Sequence, residues 1–513
     1  MNTPIADFVK EYANKNKIRA HMPGHKGAAY LGIEALDITE VSGADALYLA
    51  DGIINESEGA ATYIFGSGLT VYSTEGSSQC IKSMLNIALC QWKREGLKNR
   101  PYIIALRNCH SAFLSGAALL DLDVCWIYPK DFATSYFGRF DYEDITCQAE
   151  KYINEKGYEP IGLYATSPDY IGNVLDVGLL ANLIHSYNKP LIIDNAHGAY
   201  LAFINCETKE KNIENKTLRE TLVHPLEAGA DMCCDSAHKT LPVLTGGAYL
   251  HLSKEYYNKI IVSQIYTVKQ NESVKQKNNE SDNDVSQTVK PSPDKIVKHY
   301  IKSCMLPFGS TSPSYLILQS LDLCNRYIAD GYRGKLNSYI DNIYELKNSL
   351  KTKDWNILDS DPLKLVINCK DGIALSKELS GLNLECEYAD QDYLVMMLTP
   401  ESGLESLKKI EEKLDVVSYH KYVSQKDGLS QEINVSQTVS VKHQNEEIIS
   451  IREALFAPKE IVPVNKSLGR ICGAFNLSCP PALLIAAPGE RIMENHIAMM
   501  KKYNMETIDV ILE

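Results

Sequence analysis

The sequence predicts an α/β protein, with a mainly parallel sheet in a large N-terminal domain, then a smaller α+β domain and a C-terminal domain. Three observations carry this. Short, β-rich apolar runs at 102–106, 124–128, 161–165, 191–193, 232–234 and 248–250 alternate with helical stretches, the pattern of βαβ units. The residues just past these runs are polar: Arg107, Asn108 and His110; Thr166, Ser167 and Asp169; Asp194, Asn195 and His197; Asp235, Ser236, His238 and Lys239. In open α/β sheets ligands gather beyond the carboxyl ends of the strands, so this convergence marks a site. Further on, helical patterns at 332–353 and 401–417 flank strand-like runs at 364–369 and 394–398, as a smaller α+β domain requires.

Domain limits follow from polar interruptions. The segments 271–290 and 424–447 hold too little apolar surface to offset the entropy of ordering. Both contain Val-Ser-Gln-Thr-Val, at 285–289 and 435–439, and they are read as exposed insertions, with a docking peptide used twice as the alternative. The predicted division is 1–325, 326–420, a polar linker at 421–446, and a domain at 447–513 that carries Cys479-Pro480-Pro481 and Pro488-Gly489-Glu490.

Composition narrows the function. With 513 residues, 45% hydrophobic and 23% charged, the chain is ordinary globular protein. Fifty-two basic against 65 acidic side chains leave −13, which argues against nucleic-acid and anionic-membrane partners and favours small solutes. No apolar run has the roughly 18 residues a membrane span needs. The start, MNTPIADFVKEYANKNK, lacks the apolar centre of an export signal, so a cytoplasmic location is expected. The 14 cysteines show neither a CxxC pair nor a zinc-type spacing with histidine, and are expected as reduced, mostly buried thiols; no metal is implied.

Three pieces carry chemistry. In CDSAHKTLPVLTGGAYLH, at 234–251, Lys239 follows a buried strand where its amine could condense with a carbonyl, though a lone lysine there is otherwise a surface ammonium. Leu191-Ile192-Ile193-Asp194 is an apolar strand ending in a carboxylate, suited to keeping a pyridine nitrogen protonated or, equally, to capping a helix. In Thr74-Glu75-Gly76-Ser77-Ser78, a tight turn precedes a helical stretch whose free N–H groups and hydroxyls offer a phosphate seat. Together these are the equipment for pyridoxal 5′-phosphate.

On these residues the chain resembles the Orn/Lys/Arg decarboxylases, pyridoxal-phosphate enzymes of the aspartate-aminotransferase fold (fold type I). The resemblance runs from His21-Met22-Pro23-Gly24-His25-Lys26-Gly27 and Asp37-Ile38-Thr39-Glu40, through Arg107-Asn108-Cys109-His110-Ser111, Thr166-Ser167-Pro168, 194–200 and 236–241, to Thr311-Ser312-Pro313-Ser314-Tyr315 and the late Pro-Gly-Glu. It implies a seven-stranded sheet. It also implies that Lys239 forms the Schiff base, Asp194 pairs with the pyridine nitrogen and His110 stacks on the ring. Ser77, Ser78, Ser236 and His238 would hold the phosphate, with His197 near the ring or the substrate carboxylate. Ser310 would reach the phosphate of a neighbouring subunit, making the protein a homodimer or higher homo-oligomer with shared active sites.

Departures from the family pattern are Asn195 for the usual Glu, Glu75 for Asn, Asp169 for Thr and Ala482 for Gly. The chain resembles the short form of the family, without an N-terminal wing domain. The implied reaction is decarboxylation of a basic amino acid, arginine to agmatine first, lysine to cadaverine or ornithine to putrescine next. Asp169 and Glu490 are the candidates for the substrate's distal cation. The rival readings are another reaction of the same cofactor, such as transamination or side-chain lysis, and a non-catalytic regulatory relative.

Overall fold

The computed structural model describes residues 1–15, 17–129, 140–264, 292–417, 422, 447–475 and 484–512. The insertion at 271–290, the linker residues 421 and 423–446, Cys479-Pro480-Pro481 and Ala482 lie outside the described residues.

Seven strands form the central sheet: β1 (Leu69–Ser73), β2 (Tyr102–Leu106), β3 (Asp123–Ile127), β4 (Leu163–Thr166), β5 (Leu191–Asp194), β6 (Met232–Asp235) and β7 (Ala248–Leu252). Their spatial order is β1-β7-β6-β5-β4-β2-β3. The pairs from β3 to β6 are parallel, and β7 runs antiparallel to both β6 and β1. Apolar clusters cover both faces, one including Ile103, Phe113, Tyr164 and Ile192, the other Ile104, Leu163, Leu191 and Ile193. This two-sided burial explains why the strands read as continuous apolar runs instead of alternating ones.

β1 lies outside the predicted runs because Thr70, Tyr72 and Ser73 interrupt its apolar character. Their hydroxyls are satisfied internally: Thr70 with Ser67 and His251 at 2.7 and 2.8 Å, Tyr72 with Ser57 at 2.7 Å, and Ser73 donating to Gln79 Oε1 at 2.6 Å. A buried hydroxyl with a partner costs little, so polar residues can form a core strand.

The smaller sheet pairs β8 (Lys364–Asn368), β9 (Tyr388–Ala389) and β10 (Tyr393–Met397) antiparallel in the order β8-β10-β9. The helices Arg333–Thr352 and Gly403–Val416 bury Leu336, Ile340, Ile343, Leu407, Ile410 and Leu414, in a cluster that also contains Leu365, Ile367 and Leu394 of this sheet. In the C-terminal part, β11 (Lys459–Pro463) pairs antiparallel with β12 (Thr507–Ile511), next to the helix Glu494–Lys502. Among the described residues no helix is long and apolar enough to cross a membrane, and the described cysteines are free thiols, most of them buried.

His496, in the first turn of Glu494–Lys502, gives the C-terminal part a pH dependence. Its Nδ1 accepts from Met493 N at 3.2 Å, while its Nε2 is buried without a hydrogen-bond partner among the described residues. Burial lowers the imidazole to about 4, against the pull of Glu490. The folded chain therefore binds this proton less readily than the unfolded chain. Its stability is complete above about pH 6.5 and falls by about 2–3 kcal/mol as pH drops towards 4. Urea-unfolding midpoints measured from pH 7 to 4.5 should show a steeper acid loss in the wild type than in His496→Gln.

Candidate active site

A cavity of about 280 Å³ opens at the carboxyl ends of β4, β5 and β6 and at the start of the helix Gly76–Arg94. Its floor is a junction of two turns. Gly76, at φ +68°, donates its N–H to Gly246 O at 2.7 Å. Gly246 has φ +96°, and a Cβ there would stand 3.0 Å from Thr74 O. The Gly-Gly step after Lys239 thus lets two backbones touch, which a larger residue would prevent.

The four residues expected to hold a phosphate all line this cavity: Ser77, Ser78, Ser236 and His238. Ser236 Oγ donates to Ser77 Oγ at 2.8 Å, joining the turn after β6 to the helix start. His238 Nδ1 lies 3.1 Å from Gly247 O. The start of a 19-residue helix that has no side-chain cap, flanked by hydroxyls and an imidazole, suits a dianionic phosphate.

Lys239 stands in the one-turn helix Ala237–Thr240 that follows β6, with Nζ 3.0 Å from His197 Nε2. Burial depresses the Lys239 amine, with Lys364 adding to the effect and Asp194 and Glu387 opposing it. Burial also pushes His197 well below the usual imidazole range, helped by the Lys239 charge, and lowers His110. Both rings are therefore neutral near pH 7. Asp194 lines the same cavity, its Oδ2 accepting from Tyr164 at 3.2 Å and its Oδ1 from Ala196 N at 3.1 Å. His110 caps the helix Ser111–Leu120, its Nδ1 accepting from Ala112 N at 3.0 Å.

These donors fit pyridoxal phosphate. His197 Nδ1 and Asn108 Oδ1 are buried on the cavity wall with no hydrogen-bond partner among the described residues, so the wall is polar beyond what the protein itself satisfies. The serines at the helix start, the Lys239 amine and the Asp194 carboxylate line one cavity.

Asp169 also lines the cavity. Its carboxylate accepts from Asn173 N and Nδ2 at 2.8 and 2.7 Å, and its backbone oxygen accepts from Lys364 Nζ at 2.6 Å. Burial raises its pKa, with Lys364 opposing.

The structure does not bring Glu490 or Ser310 to the cavity. Glu490 forms a bidentate pair with Arg107 at 2.6 and 2.7 Å, accepts from Ala487 N at 2.7 Å, and does not cap the helix Glu494–Lys502. Ser310 is exposed, its Oγ accepting from Ser312 N at 3.1 Å. The HMPGHKG segment forms a surface turn with Met22 67% exposed.

The departure at Asn195 has a local counterpart. Its Nδ2 donates to Asp235 Oδ1 at 2.6 Å, and Asp235 Oδ2 receives the Nε2 atoms of His224 and His251 at 3.2 and 3.1 Å. In this chain the buried acid sits on β6, and residue 195 is its neutral donor. Sequence reasoning missed Tyr170, whose ring meets His197 edge-on at 5.0 Å, as well as Lys364 and Glu387. A cation at the head of the apolar strand KLVIN was the one available signal for Lys364.

Comparison with known proteins agrees with this architecture. Residues 3–277 match the family model described as Orn/Lys/Arg decarboxylase, major domain. The arginine decarboxylase of Bacillus subtilis is 24% identical over 98% of this chain and 93% of its own length. That of Halalkalibacterium halodurans is 24% identical over 99% and 94%. Among solved structures, the lysine decarboxylase LdcF of Francisella novicida superposes with a TM-score of 0.70 at 14% identity, covering 99% of this chain and 81% of that one. The constitutive lysine decarboxylase of E. coli gives 0.66 at 14% identity, and at such identities the likeness concerns the fold. The family match extends over more than half the sequence and includes the cavity's lysine, aspartate and serines, and the chain belongs to the Orn/Lys/Arg decarboxylase family.

Proposed function

We propose that the protein is a pyridoxal-phosphate-dependent decarboxylase of a basic amino acid, with arginine, giving agmatine, as the preferred substrate and lysine or ornithine next. The observation that carries this reading is the meeting of Lys239, Asp194 and a helix-start phosphate seat in one cavity. The relatives named arginine decarboxylase support the choice of substrate.

When bound, the cofactor supplies an electron-accepting ring for the bond electrons left as CO2 departs. Ser77, Ser78, Ser236 and His238 would anchor its phosphate, and Asp194 would keep its ring nitrogen protonated. Lys239, its pKa depressed by burial, offers a larger neutral fraction for nucleophilic attack than an exposed lysine does. His197 Nε2, 3.0 Å from Nζ, can take or return a proton at that atom.

Asp194→Ala is expected to lower kcat/KM by roughly 10²- to 10³-fold, the usual cost of losing one preorganised charge partner. Activity within tenfold of wild type would refute the role. The reading as a whole is tested by supplying arginine, lysine and ornithine to the purified protein with cofactor: CO2 and the matching amine are expected, and a keto acid would indicate transfer instead. We infer also a homodimer at least, with Ser310 serving the neighbouring subunit. It is supported by the place of Ser310 outside its own chain's cavity and by Tyr30 and Leu31 standing exposed. Light scattering that returned a monomer would refute it. The free thiols fit a reducing, cytoplasmic setting.

A further inference from the structure

The end of β4 and the turn after it supply Thr166, Asp169 and Tyr170 to the cavity wall. At the base of this turn Ser167 N donates to Asp194 O at 3.0 Å, which ties it to β5. Further along, Asp169 N donates to Asn173 O at 2.9 Å and Gly172 N to Asp169 O at 3.1 Å. The tip of the turn meets the smaller sheet. Gly172, at φ +86°, accepts at its carbonyl from Asp361 N at 2.9 Å, and a Cβ there would stand 2.9 Å from Ser360 Cβ and 3.0 Å from Asp361 Cβ. The two segments touch at a place that a larger residue would force apart.

Lys364, the first residue of β8, reaches across the same joint. It is 1% exposed and does not line the cavity, and its Nζ donates to Asp169 O at 2.6 Å. The carboxylate of Asp361 lies 3.5 Å from Nζ and accepts from Tyr200 OH and Leu363 N. A buried cation is costly to desolvate, yet the shorter contact of this one goes to the backbone of the cavity turn. A charge-assisted bond shielded from water holds that turn more firmly than the exposed bond from Tyr170 OH to Glu387 Oε1 at 2.5 Å.

The turn carries Tyr170, whose ring meets His197 edge-on at 5.0 Å and Tyr388 of β9 at 5.5 Å. His197 Nε2 in turn lies 3.0 Å from Lys239 Nζ. Contacts therefore run unbroken from Lys364 through Asp169 O, Tyr170 and His197 to the reacting amine. We propose that Lys364 is a positioning residue: from the smaller sheet it fixes the turn after β4, so that the Tyr170 ring holds the His197 imidazole against the Lys239 amine. This rests on the decarboxylase reading above and adds to it a residue that touches neither substrate nor cofactor. Its effect on rate comes from geometry, because a displacement of about 1 Å at a reacting group can cost on the order of 10²-fold.

The test is a double-mutant cycle on the cofactor-loaded enzyme with arginine as substrate. Values of kcat and KM are read for the wild type, Lys364→Met, Tyr170→Leu and the double variant, each at its own pH optimum so that a shifted titration does not register. Lys364→Met should lower kcat about tenfold or more and leave KM within about threefold. In the Tyr170→Leu background the same change should lower kcat by no more than about threefold, since the ring through which it acts is gone. A residue with only a structural duty would cost the same factor in both backgrounds. That outcome, or a kcat in Lys364→Met within twofold of the wild type, overturns this inference and leaves the decarboxylase reading standing. Should Lys364→Met not fold, Gly172→Ala opens the same joint without removing a charge, and its cycle with Tyr170→Leu decides by the same criteria. A wild type that turns over none of arginine, lysine and ornithine overturns the decarboxylase reading, and this inference with it.

Discussion

Replacing Lys239 by alanine is expected to reduce decarboxylation on the order of 10⁴-fold or more, the scale seen when a covalent nucleophile is lost. The same change should remove borohydride-trapped cofactor from the peptide that carries residue 239. The expectation rests on position and charge state together. Lys239 is the lysine on the cavity wall, and its amine is buried beside a neutral imidazole. Lys364 does not line the cavity, and its Nζ is engaged elsewhere, donating to Asp169 O at 2.6 Å and lying 3.5 Å from Asp361. Lys239→Arg should be equally inactive, because a guanidinium stays protonated and forms no imine. Neither replacement should lower thermal stability much. A buried amine carries a desolvation cost that alanine does not, so a large fall in melting temperature would show that residue 239 has a structural duty instead.

Strand ends were the legible part of this site. Apolar runs ending in Asp194 and in the Asp235–Lys239 turn are local patterns, and a parallel sheet fixes where such ends converge. Ser77 and Ser78 were legible for the same reason, since a glycine turn before a helix is written in adjacent residues. β1 was not, because its hydroxyl-bearing residues look like loop until the partners His251, Ser57 and Gln79 are brought beside them. Glu387 and Tyr170 lie 217 residues apart in sequence, and no spacing rule links an acid of the smaller sheet to a tyrosine after β4. Glu490 is the reverse case. Its motif was visible, but its partner Arg107 is 383 residues away, and sequence alone could not show that its charge was already matched.

Glu490→Gln should therefore cost stability before it costs substrate binding. Arg107 is 1% exposed, and its guanidinium holds both carboxylate oxygens of Glu490, itself 3% exposed. The rings of Trp126 and Tyr128 lie 4.9 and 5.1 Å from the same guanidinium. Breaking one side of such a buried pair leaves a charge that cannot be neutralised, at a cost of about 3–5 kcal/mol, with glutamine near the lower figure because it keeps one acceptor. Denaturant unfolding of the variant should show this loss. The double change Arg107→Met with Glu490→Leu should recover most of it, since two matched apolar groups of similar size avoid the desolvation cost. Arg107 directly precedes Asn108, whose amide donates to Thr166 O at 3.3 Å, and the same turn leads to His110. A loosened Arg107 should accordingly weaken cofactor retention along with stability. If instead Glu490→Gln raised KM for arginine while the unfolding midpoint stayed at the wild-type value, Glu490 would be a substrate group after all, and the pairing seen with Arg107 would not persist during turnover.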